Sequence, residues 1–300
     1  MKVRAGPDGI HLFDRLTGWN VLIDESRVPS AMWSSAPRQV SIALTNACDL
    51  RCPYCYAPKH AAALDTGRVM RWLQELDEHG CHGVGFGGGE PTLHQRLPEL
   101  CRWASEHTDL AVTFTTHAHH FTSRLAADLR GNVHFIRVSM DGVGATYESL
   151  RGRRFADFTL RLSIVREVAP IGINFVVNAH TVRDLDAAVE IAREVRASEF
   201  LLLPQQPTAG APGMDASTGE LLAAWVRTYR GVIPLSVSEG GATGLPTCAP
   251  LPLETGLRAY AHIDASGLLK RSSFDGAGVP IGPEGFVSAL RALEEIGGTR

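Results

Sequence analysis

The chain has 300 residues, of which 44% are hydrophobic and 20% charged, a balance that supports a buried core and excludes an intrinsically disordered chain. Twenty-nine basic residues against 32 acidic ones leave a formal charge of −3, so no net basic field exists to bind nucleic acid or anionic lipid non-specifically. Six cysteines are too few for a disulfide scaffold, and Cys48, Cys52 and Cys55 fall within eight positions, a clustering that points to metal.

The first fifteen residues carry Lys2, Arg4, Asp8 and Asp14 and no apolar run of a secretory signal. No stretch reaches the roughly 18 apolar residues of a membrane span. A cytoplasmic protein with reduced thiols, and with neither a nucleic-acid nor a membrane partner, is expected. Ile10 to Arg15 and Asn20 to Asp24 alternate as an N-terminal β-hairpin around Gly18. A βα series then begins. Gln39 to Leu44 is its first strand and Leu64 to His79 its first helix; Gly83 to Phe86 follows, with a helix through Leu97, Leu100 and Trp103. Ala111 to Thr115 precedes a helix at Ser123 to Leu129, and Val133 to Val138 precedes one at Phe158 to Val168. Gly172 to Val177 and Phe200 to Leu203 are the fifth and sixth strands, separated by a helix from Asp184 to Arg196. Consecutive βα units imply right-handed crossovers and a parallel sheet curved toward a barrel, with the ligand site at the carboxyl ends of the strands.

Beyond it lie a breaker-rich loop, Pro204 to Asp215, a helix near Glu220 to Tyr229, a strand at Val232 to Ser236, and a second such loop from Gly240 to Pro252. A hairpin of Arg258 to Asp264 with Leu268 to Ser273 and a helix near Gly285 to Glu295 complete the chain. The expected fold class is α/β, a partial (β/α)6 TIM-like barrel with an N-terminal hairpin and a small C-terminal α+β extension. The domains divide as 1–38, 39–210 and 211–300.

Two loops carry chemistry. Cys48-Asp-Leu-Arg-Cys52-Pro-Tyr-Cys55 follows the first strand; three thiolates at this spacing can ligate three irons of a [4Fe-4S] cube and leave the fourth iron open. Phe86-Gly-Gly-Gly-Glu90-Pro-Thr92 follows the second strand. Its glycines let backbone approach a ligand closely, and Glu90 with Pro91 offers a fixed carboxylate and carbonyls able to accept hydrogen bonds from an ammonium group.

These two loops, in this order, resemble the radical S-adenosylmethionine (radical SAM) superfamily over about Gln39 to Pro204. The resemblance implies that Cys48, Cys52 and Cys55 bind the cluster. It implies that SAM takes the fourth iron, that Gly88, Gly89 and Glu90 hold its amino group, and that Tyr54 contacts adenine. Ser139, in Ser-Met-Asp-Gly after the fourth strand, is placed near the SAM ribose or carboxylate, with Arg151 or Arg153 pairing that carboxylate. Asn178, and Leu203 with Gln205, fall where the family contacts ribose and adenine. The hairpin after Cys248 is similar to the SPASM or twitch extension, but Ser272 or Ser273 stands where a second cysteine would be, so an extension without auxiliary clusters is expected.

The activity implied is reductive cleavage of SAM to a 5′-deoxyadenosyl radical that abstracts a hydrogen atom from a substrate, with flavodoxin or ferredoxin as electron donor. A ribosomal peptide is the leading substrate, and a small metabolite such as a nucleoside or sugar is the alternative. A zinc site with His60 as fourth ligand is the competing reading of the cysteine loop, and a non-catalytic zinc or iron-sulfur binding module is the alternative of another class. Cys81 and Cys101 read as core thiols, and Cys248 as a core or vestigial thiol, with a hydrogen-atom donor or substrate-contacting thiol as the minority reading. His117, His119 and His120 read as structural or solvated, and the Arg151, Arg153 and Arg154 run as either solvated or anion-binding.

Overall fold

The computed structural model describes residues 1–249 and 251–297 of the chain, so Pro250, within the second breaker-rich loop, lies outside the described residues. An antiparallel three-stranded sheet opens the chain: β1 (Lys2–Gly6), β2 (Gly9–Asp14) and β3 (Trp19–Ile23). The expected hairpin is β2–β3; its turn is held by Asp14, whose carboxylate accepts from the Leu16 amide and the Thr17 hydroxyl, both at 3.0 Å. β1 is additional. Its charges hid it, because Arg4 is a buried arginine, not a surface one: Nε pairs with Glu254 at 3.0 Å, and its Nη atoms donate to the carbonyls of Ala36, Gly80 and Arg258.

The main sheet starts with β4 (Gln39–Thr45), β5 (Gly83–Gly88), β6 (Ala111–Thr116), β7 (Phe135–Ser139), β8 (Ile171–Val177) and β9 (Glu199–Pro204), each parallel to its chain neighbour. β10 (Leu235–Val237) extends the β9 edge in parallel. At the other edge β11 (Tyr260–Ile263) runs parallel to β4, followed by antiparallel β12 (Leu268–Lys270) and β13 (Val279–Pro280). The expected C-terminal hairpin is therefore present, but its first strand is annealed to β4 within a single ten-stranded sheet. The expected boundary between 210 and 211 falls inside that sheet's connectivity, because strands from both sides of it pair with the βα series.

Helices α1 (Thr66–Glu78), α2 (Leu97–His107) and α3 (Ser123–Leu129) follow β4, β5 and β6. After β7 the structure has two helices where the sequence suggests one, α4 (Ala145–Arg151) and α5 (Phe155–Arg166). Gly152 separates them in the left-handed conformation, φ 64°, which terminates α4. The remaining helices are α6 (Leu185–Glu194), α7 (Ala216–Thr228) and α8 (Gly285–Gly297).

The strands β4 to β9 stand in chain order, so right-handed crossovers place all their helices on one face. Val40, Ile42, Val84, Phe86, Ile136, Val138, Ile173 and Phe175 are buried in the core on that face. Alternate residues Ser41, Gly85, Thr113, Arg137 and Ser139 are only half-buried on the helix-free face. The architecture is an open, partial barrel whose edges, β10 and β13, do not meet.

Candidate functional site

The cysteine loop is an excursion that leaves and returns to the carboxyl end of β4. Thr45 bridges Ala63, the Asn46 amide donates to Ala62 at 2.9 Å, and Leu64 donates back to Leu44. Cys48, Cys52 and Cys55 are free and partly buried within it. Burial raises the thiols of Cys48 and Cys52 above the usual cysteine value, so metal loading must displace protons.

The Gly-Gly-Glu loop packs directly on this excursion. The Gly89 amide donates to Thr45 at 2.7 Å and the Glu90 amide to Ala47 at 2.8 Å. A Cβ on Gly88, which has φ 109°, would collide with the Thr45 carbonyl, and one on Gly89 with the Ala47 carbonyl. The close approach foreseen from the glycines is thus made to the neighbouring backbone. Glu90 is 1% exposed and saturated. Its carboxylate accepts from the Thr92 amide and hydroxyl, the Thr116 hydroxyl at 2.7 Å and the His117 amide at 2.9 Å. It fastens the ends of β5 and β6 together, which leaves main-chain carbonyls as this loop's acceptors for an ammonium group.

Asp49, between the first two cysteines, is a second hub that the sequence reading missed. Its carboxylate lies 2.9 Å from His117 Nε2, 3.0 Å from His120 Nε2 and 2.6 Å from Arg153. Burial opposes its ionisation, but the neighbouring His120, His117 and Arg153 prevail and hold its carboxyl well below the ordinary range. Cys48, Asp49 and His117 place three ligand-type atoms within 4.8 Å of one another. His117 is no metal ligand, however: its Nδ1 accepts the His119 amide at 3.1 Å, so Nε2 carries the proton and donates to Asp49. The histidines contact protein groups, His119 Nε2 lying 2.8 Å from the Tyr147 hydroxyl, with Ala118 at φ 67° in the turn. His60 lies against Asn46.

Asp141 is the third hub and is 1% exposed. Tyr54 donates to it at 2.7 Å, Arg151 forms an ion pair with it, and its other oxygen accepts the Val176 amide at 2.8 Å. Arg151 also lies beside Cys52, and its buried Nε has no acceptor among the described residues. Arg151 and Arg153, expected to pair a ligand carboxylate, are both already engaged with aspartates. Three thiols in one loop, in no disulfide, beside a buried guanidinium whose Nε has no acceptor among the described residues, suit an anionic thiolate-bound cluster.

Ser139 is half-buried at the end of β7, and Leu203 is half-buried in β9. Asn178 builds the turn after β8: its Oδ1 accepts the His180 and Thr181 amides at 2.9 and 3.1 Å, and its Nδ2 donates to Gln205. The loop from Gln205 to Met214 crosses toward the cysteine excursion, where Gly210 approaches the Pro53 carbonyl. Cys81 and Cys101 are fully buried, as expected, and Cys248 is exposed.

The sequence pattern of the Radical SAM superfamily matches residues 42–195. The chain is 29% identical over 161 residues to the Fe-coproporphyrin III synthase of Methanosarcina barkeri, covering 50% of this chain and 40% of that protein. It is 32% identical over 147 residues to the PqqA peptide cyclase of Rhodopseudomonas palustris, covering 48% and 39%. The chain thus spans about two fifths of the length of these curated relatives. Its fold is similar to that of Streptococcus suis SuiB, whose crystal structure was solved with the precursor peptide SuiA: the TM-score is 0.70 at 16% identity, covering 85% of this chain and 65% of that one.

Proposed function

This chain belongs to the radical SAM superfamily and is an enzyme of that family, which works with a [4Fe-4S] cluster and SAM, and from that premise we propose that it modifies a ribosomal peptide by hydrogen-atom abstraction. When bound, the reduced cluster and SAM supply one-electron cleavage of a sulfonium S–C bond and the hydrogen abstraction that follows. Cys48, Cys52 and Cys55 hold the cluster. The carbonyls around Gly88 and Gly89 orient the SAM amino group, while Glu90, its carboxylate consumed, keeps the β5 and β6 ends in place. Asp141 fixes Tyr54 and Arg151 against the same loop, and Ser139, Asn178 and Leu203, at the strand ends, would hold the nucleoside. An external flavodoxin or ferredoxin delivers the electron.

The observation that carries this reading is the cysteine excursion keyed by Gly88 and Gly89 onto the adjacent strand end. The peptide substrate is supported by the fold shared with SuiB and by the similarity to a PqqA peptide cyclase. A small-metabolite substrate is the second reading, favoured by the similarity to an Fe-coproporphyrin III synthase.

Anaerobically purified protein should carry about four irons and four sulfides per chain, the content of one cube, and release 5′-deoxyadenosine from SAM with dithionite. Changing Cys48, Cys52 or Cys55 to Ala should abolish both. A variant that kept its iron and its SAM cleavage would overturn the assignment. The substrate follows from incubation with short peptides encoded beside the gene: a mass change in a peptide supports the peptide reading, and none in any of them supports the metabolite.

A further inference from the structure

One charged group on the helix-free face has no part in the arrangement above. Arg137 stands in β7 between Ile136 and Val138, which are fully buried on the helix side, so its own side chain lies on the open face with Phe135 and Ser139. Its guanidinium reaches across β8 to an ion pair with Glu199 of β9, touches Asn174 Oδ1 at 3.4 Å, and lies 5.4 Å from the Phe135 ring centre. The crossing depends on Gly172 in the strand between. A Cβ there would fall 2.8 Å from the Phe135 ring and 3.0 Å from Glu199 Cγ.

Both of Arg137's contacts are made through Nη1. Among the described residues, Nε and Nη2 have no acceptor, and that edge of the fork is the one that binds a carboxylate through two parallel bonds. The side chain is 31% exposed, so the edge is reachable but largely desolvated, where a charge-assisted hydrogen bond is strongest. The Glu199 ion pair and the Phe135 ring hold the guanidinium near its place in advance, which lowers the ordering entropy of the binding step. Arg137 lies two residues before Ser139 on the same face, roughly 7 Å further from the strand ends at the rise of a β-strand. It is therefore set below the residues assigned to SAM, on the face where a substrate must approach.

We propose that Arg137 is a specificity-determining residue that binds a carboxylate of the substrate, held ready by Glu199 and admitted by Gly172. This rests on the radical SAM reading for the statement that the open face holds substrate. The carboxylate belongs either to an acidic side chain of a peptide or to a small metabolite that carries an acid group.

Saturation-transfer NMR on the holoenzyme with SAM, and on the cluster-free chain, tests this with three probes: Ac-Ala-Glu-Ala-NH2, Ac-Ala-Gln-Ala-NH2 and glutarate. Wild type should prefer the glutamate peptide over its amide by about tenfold or more, as expected for a charge-assisted pair. R137M should erase that preference while SAM affinity holds, and E199Q should keep it. The double variant R137M/E199Q removes the unpaired Glu199, so a folding defect in R137M alone does not block the test. Binding of glutarate but not of the peptide assigns the site to a free acid, and the reverse assigns it to a peptide. Equal binding of the glutamate and glutamine peptides without binding of glutarate, a preference that survives in R137M, or loss of SAM affinity in R137M would overturn the proposal. The cluster-free arm needs neither iron nor SAM, so its result stands apart from the success of the radical SAM reading.

Discussion

At Asp141 one buried carboxylate joins three segments far apart in the chain: Tyr54 of the cysteine excursion, Arg151 at the end of α4, and the Val176 amide of β8. Asp141→Asn keeps the amide bond and nearly the same shape but leaves Arg151, itself 9% exposed, with its charge unbalanced. Removing one partner of a buried ion pair costs about 3–5 kcal/mol, and urea unfolding of the cluster-free variant should show a loss of that order. A loss under about 1 kcal/mol would mean that Arg151 finds another anion. Gly88 illustrates the same dependence on close packing. At φ 109° and against the Thr45 carbonyl, Gly88→Ala combines backbone strain with a steric clash. We expect it to lower iron content after reconstitution, because it separates the two loops; unchanged iron loading would count against that coupling.

Among the elements, the cysteine excursion and the loop from Gln205 to Met214 meet at the barrel mouth. Gly210 sits 3.0 Å, measured from where its Cβ would be, from the Pro53 carbonyl, so a branched side chain cannot enter without moving the loop. Gly210→Val should speed amide exchange in residues 205–214 while leaving global stability within about 0.5 kcal/mol, as for a surface change. Exchange that stays at the wild-type rate would show that this contact does not hold the loop. The βα elements were legible in the sequence because apolar periodicity marks each strand and helix. The split into α4 and α5 was not, since its signal is a single left-handed Gly152 within a charged run. β1 escaped for the opposite reason: a buried Arg4 in its middle reads as surface until Glu254, 250 positions away, is seen beside it.

Over the whole molecule, several histidines are buried in neutral form. Burial lowers His82 to about 3, and His134 and His262 to about 4, from an ordinary value near 6.5. In the unfolded chain each takes up a proton as pH falls through about 6.5, while the folded chain does not, so the unfolded state gains. Their contribution is whole above about pH 6.5 and is lost as pH falls toward each folded value, with a slope approaching 1.4 kcal/mol per pH unit for each group. Urea midpoints should therefore drop between pH 7 and pH 5, and His82→Phe should reduce the drop; a flat profile would refute the assignment.

The sequence by itself determined the βα order, the two loops at successive strand ends and hence the family, because ligand spacing and strand periodicity are local properties of a chain. The tertiary structure decided which polar groups remain for ligands. Glu90, Asp49, Arg151, Arg153 and Asn178 all read as binding residues or their neighbours, yet each is engaged by protein partners, most of them remote in sequence. Arg137, unremarkable within its strand, reaches Glu199 across the sheet because Gly172, on the strand between, leaves room for it. Whether a polar group is satisfied depends on what lies across the sheet, and neither spacing nor composition encodes that.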